Sequence, residues 1–348
     1  MASLTQTAII TRKAVRYSIY FIIILIIGRL SLGIIISIAT KLFPAPPPTP
    51  TVQFGKLPIL PFPKSDNTSA LSYTIQTPDG GLPALITQAK VYYMPSQRPD
   101  LLSLDNTKQK ASSLGFSGTA NQQTPTLYQF NSTNGLSSLT INIVTGTFSI
   151  GYKLNEDSSP LDGQPPTAAT AADSAKGFMS SAGVLPDDLT GAVTPEYLKI
   201  QNKQLVSAIS LSEANFTKVN FFRRDYDKIP AKTPKPDQAN VWFVLGGGQN
   251  QGKQVIGAQY WYYPIDITQF ATYPLKTADV AFKELQAGKG YIANIGDNTN
   301  GKITITNVYL GYYDPGIQTQ FYQPIIVFEG SNNFVAYVPA VTSTYYSE

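Results

Sequence analysis

The chain has 348 residues, 26 basic and 22 acidic, with no cysteine and no histidine. Disulfide frameworks, thiolate or imidazole metal sites, a Cys nucleophile and a His general base are therefore excluded. Seven basic residues (Arg12, Lys13, Arg16, Arg29, Lys41, Lys56, Lys64) fall in residues 1–65, which hold no acid, leaving 19 basic against 22 acidic beyond them. That balance argues against a nucleic-acid-binding face, while 21 Tyr, 17 Phe and only 14% charged residues give an ordered, β-leaning composition.

Residues 1–16 form a short basic tail. Residues 17–40 are apolar apart from Arg29 and a few small hydroxyls, long enough for one transmembrane helix, since about 20 residues span a hydrocarbon core. Three basic residues precede the span and only Lys41 follows it, so the positive-inside bias predicts a cytoplasmic N-terminus with the bulk of the chain outside. A cleaved signal peptide is the rival reading, because Ser37-Ile38-Ala39 resembles a cleavage site, but the apolar run exceeds the usual core of about 7–15 residues. Arg29 lies near the middle of this span, where a charge costs about 2.5–3.5 kcal/mol on an insertion scale. Either the guanidinium snorkels from Gly28-Arg29, or a partner's transmembrane helix supplies an acid or carbonyl to it.

Residues 41–65 read as a Pro-rich linker. Eight prolines between Phe43 and Pro63, including Pro46-Pro47-Pro48, remove backbone donors and fix φ, which predicts an extended spacer holding the folded part away from the membrane.

Three helix outlines follow, each opened by a hydroxyl residue and closed by glycine: Ser103 to Leu114 with Gly115, Thr170 to Met179 with Gly183, and Thr277 to Leu285 with Gly288. Each precedes or interrupts β-rich stretches. Leu139–Ile143 and Thr147–Tyr152 flank Thr145-Gly146 as a hairpin, and Val219–Phe222, Val241–Leu245 and Val255–Tyr263 follow the second helix. Ile303–Ile305, Val308–Tyr313, Phe321–Glu329 and Phe334–Val338 follow the third. The expected fold class is α+β, with helix-plus-antiparallel-sheet modules over 66–158, 170–270 and 271–345, and a Ser/Pro/Gly/Asp-rich linker over 159–169.

Candidate chemistry is sparse, and no catalytic residue, cofactor or metal is expected. Gly247 to Lys253 has the Gly-x4-Gly-Lys spacing of a phosphate loop, but Gln254 stands where Ser or Thr is needed and a strand, not a helix, follows. Asp225 and Asp227 share a face if the strand before them continues, and Asp187-Asp188 follow a proline. Both pairs read as solvated acids. Ser174 and Lys176, two apart, do not face each other on a helix.

Aromatics concentrate in the strands. On alternating strands half of them must point away from the core, so Tyr260, Tyr262, Tyr312 and Tyr322 are candidates for an aromatic surface that stacks on sugar or a partner chain. The competing reading is cross-strand pairing that stabilises the sheet.

The last 70 residues carry Tyr273–Ala278, Ala281–Leu285, Gly288–Tyr291, Val308–Tyr313, Gln323–Gly330 and Val335–Val341 in that order. Over residues 270–341 this resembles the C-terminal module of the YycH/YycI-type membrane-anchored regulators of a cell-wall-sensing histidine kinase in Gram-positive bacteria. Weaker echoes lie at Ala172–Gly183 and Phe221–Arg224. The resemblance implies a non-enzymatic regulatory or sensory ectodomain in the bacterial plasma membrane, tied to a membrane protein partner; the charge balance separately leads to the expectation that no nucleic acid is involved. The alternative expectation is a structural or adhesive cell-envelope protein that binds cell-wall glycan, or itself, through the aromatic surface.

Overall fold

The computed structural model of the protein describes residues 4–42, 48–64, 71–99, 101–247, 255–298 and 301–347. The chain divides into two units, 1–49 and 50–348. The first is helix α1, Leu4–Leu42, which starts well before the apolar run. Its segment Thr11–Ile36 is long and apolar enough to cross a membrane.

The second unit is α+β. Its strands are β1 (Ser72–Ile75), β2 (Gln88–Tyr93), β3 (Asn121–Gln122), β4 (Leu127–Asn131), β5 (Ser137–Asn142), β6 (Phe148–Tyr152), β7 (Val193–Gln201), β8 (Gln204–Ser207) and β9 (Phe216–Phe221). They continue with β10 (Ala231–Lys232), β11 (Val241–Gly246), β12 (Val255–Tyr260), β13 (Asp266–Pro274), β14 (Tyr291–Asn294), β15 (Lys302–Tyr313), β16 (Phe321–Gly330) and β17 (Val335–Pro339). Among the described residues three α-helices accompany them: α2 (Ser103–Ser113), α3 (Ala168–Ser181) and α4 (Ala278–Gln286).

Helix ends follow local chemistry. Thr277 caps α4 by accepting from the Val280 amide, as its hydroxyl predicts. Thr167, not Thr170, caps α3, because Thr167 is extended and its oxygen accepts from Thr170 N. Ser103 lies inside α2, whose preceding residue Leu102 makes no side-chain cap. Gly115, Gly183 and Gly288 all take the positive φ that ends a helix. On α4 the buried residues are Ala278, Ala281 and Leu285, while Val280 is exposed. The packing stripe therefore runs through Ala278, Ala281 and Leu285 and leaves Val280 on the outer side.

The strands form two sheets. One has nine antiparallel strands in the order β3-β4-β5-β6-β12-β11-β9-β7-β8. Ala111, Leu114, Ala171, Ala175 and Met179 from the α2 and α3 regions share a core with Phe130, Ile141, Val219 and Phe243. A separate small cluster gathers Leu198, Phe216, Val244 and Ile256, with Trp242 against it. The other sheet has eight strands along the path β1-β15-β16-β17-β14. Here β10 joins β15 in parallel, and β2 pairs with both β13 and β16.

This topology redraws the expected modules. Strands β1 and β2, from the expected 66–158 module, belong to the sheet completed by β13 to β17, and β3 to β9, β11 and β12 are inserted between β2 and β13. Long-range pairing decides this, and nothing local encodes it. The expected 159–169 linker is also a packed segment: Pro160 is buried, its carbonyl accepts from Gly247 N at 3.1 Å, and Pro166 O accepts from the Thr217 hydroxyl at 2.6 Å.

The Pro-rich spacer needs the same correction. Residues 43–47 lie outside the described residues, but 50–63 form a strap on the eight-stranded sheet. Leu57 N donates to Tyr345 O at 2.7 Å and Ser347 N to Leu57 O at 2.8 Å. Leu57 and Leu60 are buried, Phe54 stacks on Phe321, and Phe62 stacks on Tyr291. Prolines keep this segment extended, yet the apolar residues between them dock one after another, and burying each stabilises by about 1.5–3 kcal/mol.

Candidate functional site

Arg29 is the one charge in the apolar part of α1 after Arg16. Ile26, Arg29, Leu30, Gly33, Ile34 and Ile38 frame a shallow hollow of about 530 Å³ on the helix surface. Their i, i+3, i+4, i+7, i+8 and i+12 spacing places them on one face. Gly33 lines the hollow, and a Cβ built there meets nothing within 4 Å. Because residues 1–65 contain no Asp or Glu, no carboxylate along the helix can neutralise Arg29. At 1.5 Å per residue Arg29 lies about 8 Å beyond the midpoint of Thr11–Ile36, farther from the centre than the 17–40 span implies.

In the second unit the notable polar feature is buried. Arg223, just past β9, is 4% exposed. Its Nε donates to Asp314 Oδ2 at 2.7 Å and its Nη1 to Asp188 Oδ2 at 2.5 Å, while Nη2 donates to Tyr263 O. Tyr226 OH also donates to Asp188 Oδ2, at 2.7 Å, and the guanidinium carbon sits 4.3 Å from the Tyr262 ring centroid. Asp314 follows β15 of the eight-stranded sheet, while Arg223 and Tyr263 follow strands of the nine-stranded sheet. The network ties the two sheets together. Gly191 permits the approach of the Asp188 loop, since a Cβ there would stand 2.3 Å from Arg223 O.

Burial alone would raise the Asp188 carboxyl, but the Arg223 charge and the Tyr226 hydrogen bond hold it below the ordinary carboxylate value. Tyr226 shifts upward, through burial and then through its bond to Asp188. This corrects the reading of Asp188 as a solvated acid. It also corrects the Asp225/Asp227 face: β9 ends at Phe221, and Asp227 sits in a left-handed turn where its carboxylate accepts from Tyr92 OH at 2.6 Å and pairs with Lys90 at 3.2 Å.

The expected aromatic surface is mostly core. Tyr312 and Tyr322 are fully buried and stack on each other with centroids 5.0 Å apart. Tyr260 is 6% exposed, stacks on Phe148 at 4.8 Å and donates to Val184 O at 2.6 Å. Tyr262 is half-buried under Arg223. The reason is that strand alternation exposes a face only where the sheet leaves one uncovered. Here Ile326 and Phe328 pack into one cluster and Ile325 and Val327 into another, so neighbouring residues of β16 are buried on opposite sides. The Gly247 to Lys253 motif falls largely outside the described residues, and it joins β11 to β12, which pair antiparallel.

A polar groove of about 680 Å³ lies where β7 and β9 meet the 235–238 turn and the end of β14. Glu196, Lys218, Asn220, Lys235, Asp237 and Asn294 line it. Lys218 pairs with Glu196 at 3.0 Å, and Ser207 Oγ donates to the same carboxylate at 3.3 Å. It offers hydrogen-bonding groups of both charges. Sequence reading missed both this groove and the Arg223 network, since each assembles residues far apart in the chain. The one local signal was the apolar Val219–Phe222 run leading into Arg223-Arg224.

No family model matches the chain, and no curated protein matches it. Among solved structures, a crystal structure of an uncharacterized protein from Eubacterium rectale ATCC 33656 is similar over 74% of this chain and 84% of that chain. Its identity is 14% and its TM-score 0.38. At that level it carries no argument about role.

Proposed function

We propose that the protein is a non-enzymatic, membrane-anchored regulatory or sensory protein that acts through contact with a membrane protein partner. In this reading the N-terminus is cytoplasmic and the body is outside the cell, which the basic residues Arg12, Lys13 and Arg16 ahead of the apolar run support. The resemblance of residues 270–341 to the YycH/YycI-type regulators points the same way. The observation that carries the proposal is the placing of Arg29 beside the Gly33 hollow on one face of α1. A guanidinium stays charged in a bilayer, and small residues let a second helix approach closely. A partner helix that brings an acid or carbonyl cluster to that depth both fills the hollow and neutralises the charge.

The adhesive alternative drew on four surface tyrosines, and Tyr260, Tyr312 and Tyr322 are in the core. The intramembrane reading is therefore preferred.

The test is co-purification from gently solubilised membranes. Arg29→Leu should insert as well as wild type but lose the partner, and Arg29→Lys should retain part of the binding. Full retention of every partner by Arg29→Leu would remove the proposal.

A further inference from the structure

The polar groove between the two sheets has one wall whose charges are paired and one whose charges are not. The paired wall belongs to the nine-stranded sheet. Val219 and Phe221 of β9 face the helices, so Lys218 and Asn220 face the other way. There Lys218 stands opposite Glu196 of β7, and Asn220 opposite Thr194. The Lys218 ammonium is held between the Glu196 carboxylate, at 3.0 Å, and the Trp242 ring, whose centroid is 5.4 Å away. Neither charge of that pair is left over for a ligand.

The second wall is the turn Lys235-Pro236-Asp237-Gln238. Gln238 N donates to Lys235 O at 3.0 Å, with proline at the position where its fixed φ suits a tight turn. Both sheets anchor this segment. Tyr337 OH and Tyr291 OH of the eight-stranded sheet donate to Thr233 O and Pro234 O, each at 3.1 Å. On the other side Ala239 N donates to the Asn220 side chain at 3.2 Å. The Thr233 hydroxyl closes the turn from within, donating to Lys235 O at 2.7 Å. Lys235 and Asp237 are exposed on this anchored backbone. Among the described residues neither takes part in an ion pair, even with the other, two residues away. A free cation and a free anion therefore stand together on the rim of a groove of about 680 Å³, a volume within the range of about 300–1,000 Å³ for small-molecule sites.

We propose that this groove binds a short zwitterionic peptide with small side chains, its carboxylate toward Lys235 and its amine toward Asp237. A ligand of a single charge sign meets a like charge two residues from its partner, and a neutral one uses neither charge. Pro195, Pro236 and Ala293 give the rest of the lining compact apolar surface, which suits methyl-sized side chains. The site lies wholly in the folded body, so it is independent of the contact proposed for Arg29.

The test is equilibrium dialysis of radiolabelled Ala-Ala-Ala, both termini free, against the full chain in detergent. Saturable binding is expected. Converting the peptide's carboxylate to an amide should weaken binding several-fold, and Lys235→Gln should weaken the free peptide equally. Lys235→Gln should add nothing to the loss already suffered by the amidated peptide, because both changes remove one contact. Asp237→Asn and acetylation of the amine should stand in the same relation. Both side chains are exposed and unpaired, so the two variants should keep the wild-type melting temperature. Absence of saturable binding, equal binding of a peptide capped at both ends, or additive losses from capping and substitution would overturn the proposal.

Discussion

Strand β5 of the nine-stranded sheet alternates buried and half-exposed residues from Ser137 to Asn142, whereas β16 of the eight-stranded sheet buries eight residues in succession, Phe321 to Phe328. The chemistry of the strands is similar, but their surroundings differ. On β16 successive side chains enter two different clusters, so alternation there sorts residues between two cores, while on β5 it sorts them between core and solvent. Four tyrosines looked like a surface in sequence because alternation was read the second way throughout.

The comparison is broken most severely at the point that joins the sheets. Replacing Arg223 with Leu leaves Asp188 and Asp314 as unpaired buried carboxylates, and should cost about 3–5 kcal/mol in urea unfolding. A loss below about 1 kcal/mol would mean that the network does not hold the sheets together. Its pH dependence has a definite sign. The folded Asp188 value is lowered, so its contribution is complete above the unfolded carboxylate value of about 4 and is lost as pH falls through the folded value. Wild-type stability should drop below about pH 4, and Asp188→Asn should flatten that drop in a pH series of melting temperatures.

A smaller effect tests how the eight-stranded sheet is covered. Leu285→Ala on α4 should cost about 2–5 kcal/mol as a buried truncation. Val280→Ala and Lys283→Ala, on the exposed side of the same helix, should each stay within about 0.5 kcal/mol. Similar melting temperatures for the Leu285 and Val280 variants would contradict the helix face described above.

The smallest effect separates buried tyrosines from surface ones. Tyr337 OH donates to Thr233 O at 3.1 Å, so Tyr337→Phe should cost about 0.5–1.5 kcal/mol with no change in exposed aromatic fluorescence quenching. Tyr260→Phe, which loses the bond to Val184 O, should behave alike in the other sheet. Iodide quenching of Tyr312 or Tyr322 in the native state would contradict their burial.

Much of the fold was legible locally. The Thr277 cap, the closing glycines, the Thr145-Gly146 hairpin and the long apolar runs of β15 and β16 are encoded within a few residues, and so is the membrane-length helix. The inserted sheet was not legible. Its boundaries depend on β2 finding β13 and β16 across more than 150 residues of chain, and a short strand such as Gln88–Tyr93 carries no mark of its distant partner. The strap was misread because prolines signal extension whether or not the apolar residues between them dock. Of the candidate site residues, Arg29 was legible because a charge in an apolar run is conspicuous by itself. Arg223 was not, because only the fold brings Asp188 and Asp314 to it.

The most direct measurement exchanges α1 while leaving residues 43–348 unchanged. With Thr11–Ile36 replaced by a plain leucine-rich span of equal length, the protein should reach the membrane and fold but lose the proposed membrane partner on co-purification. Restoring Arg29 and Gly33 at their original positions in that span should recover the partner. Retention of the partner by the plain span would contradict an intramembrane contact at Arg29 and assign the interaction to the body instead.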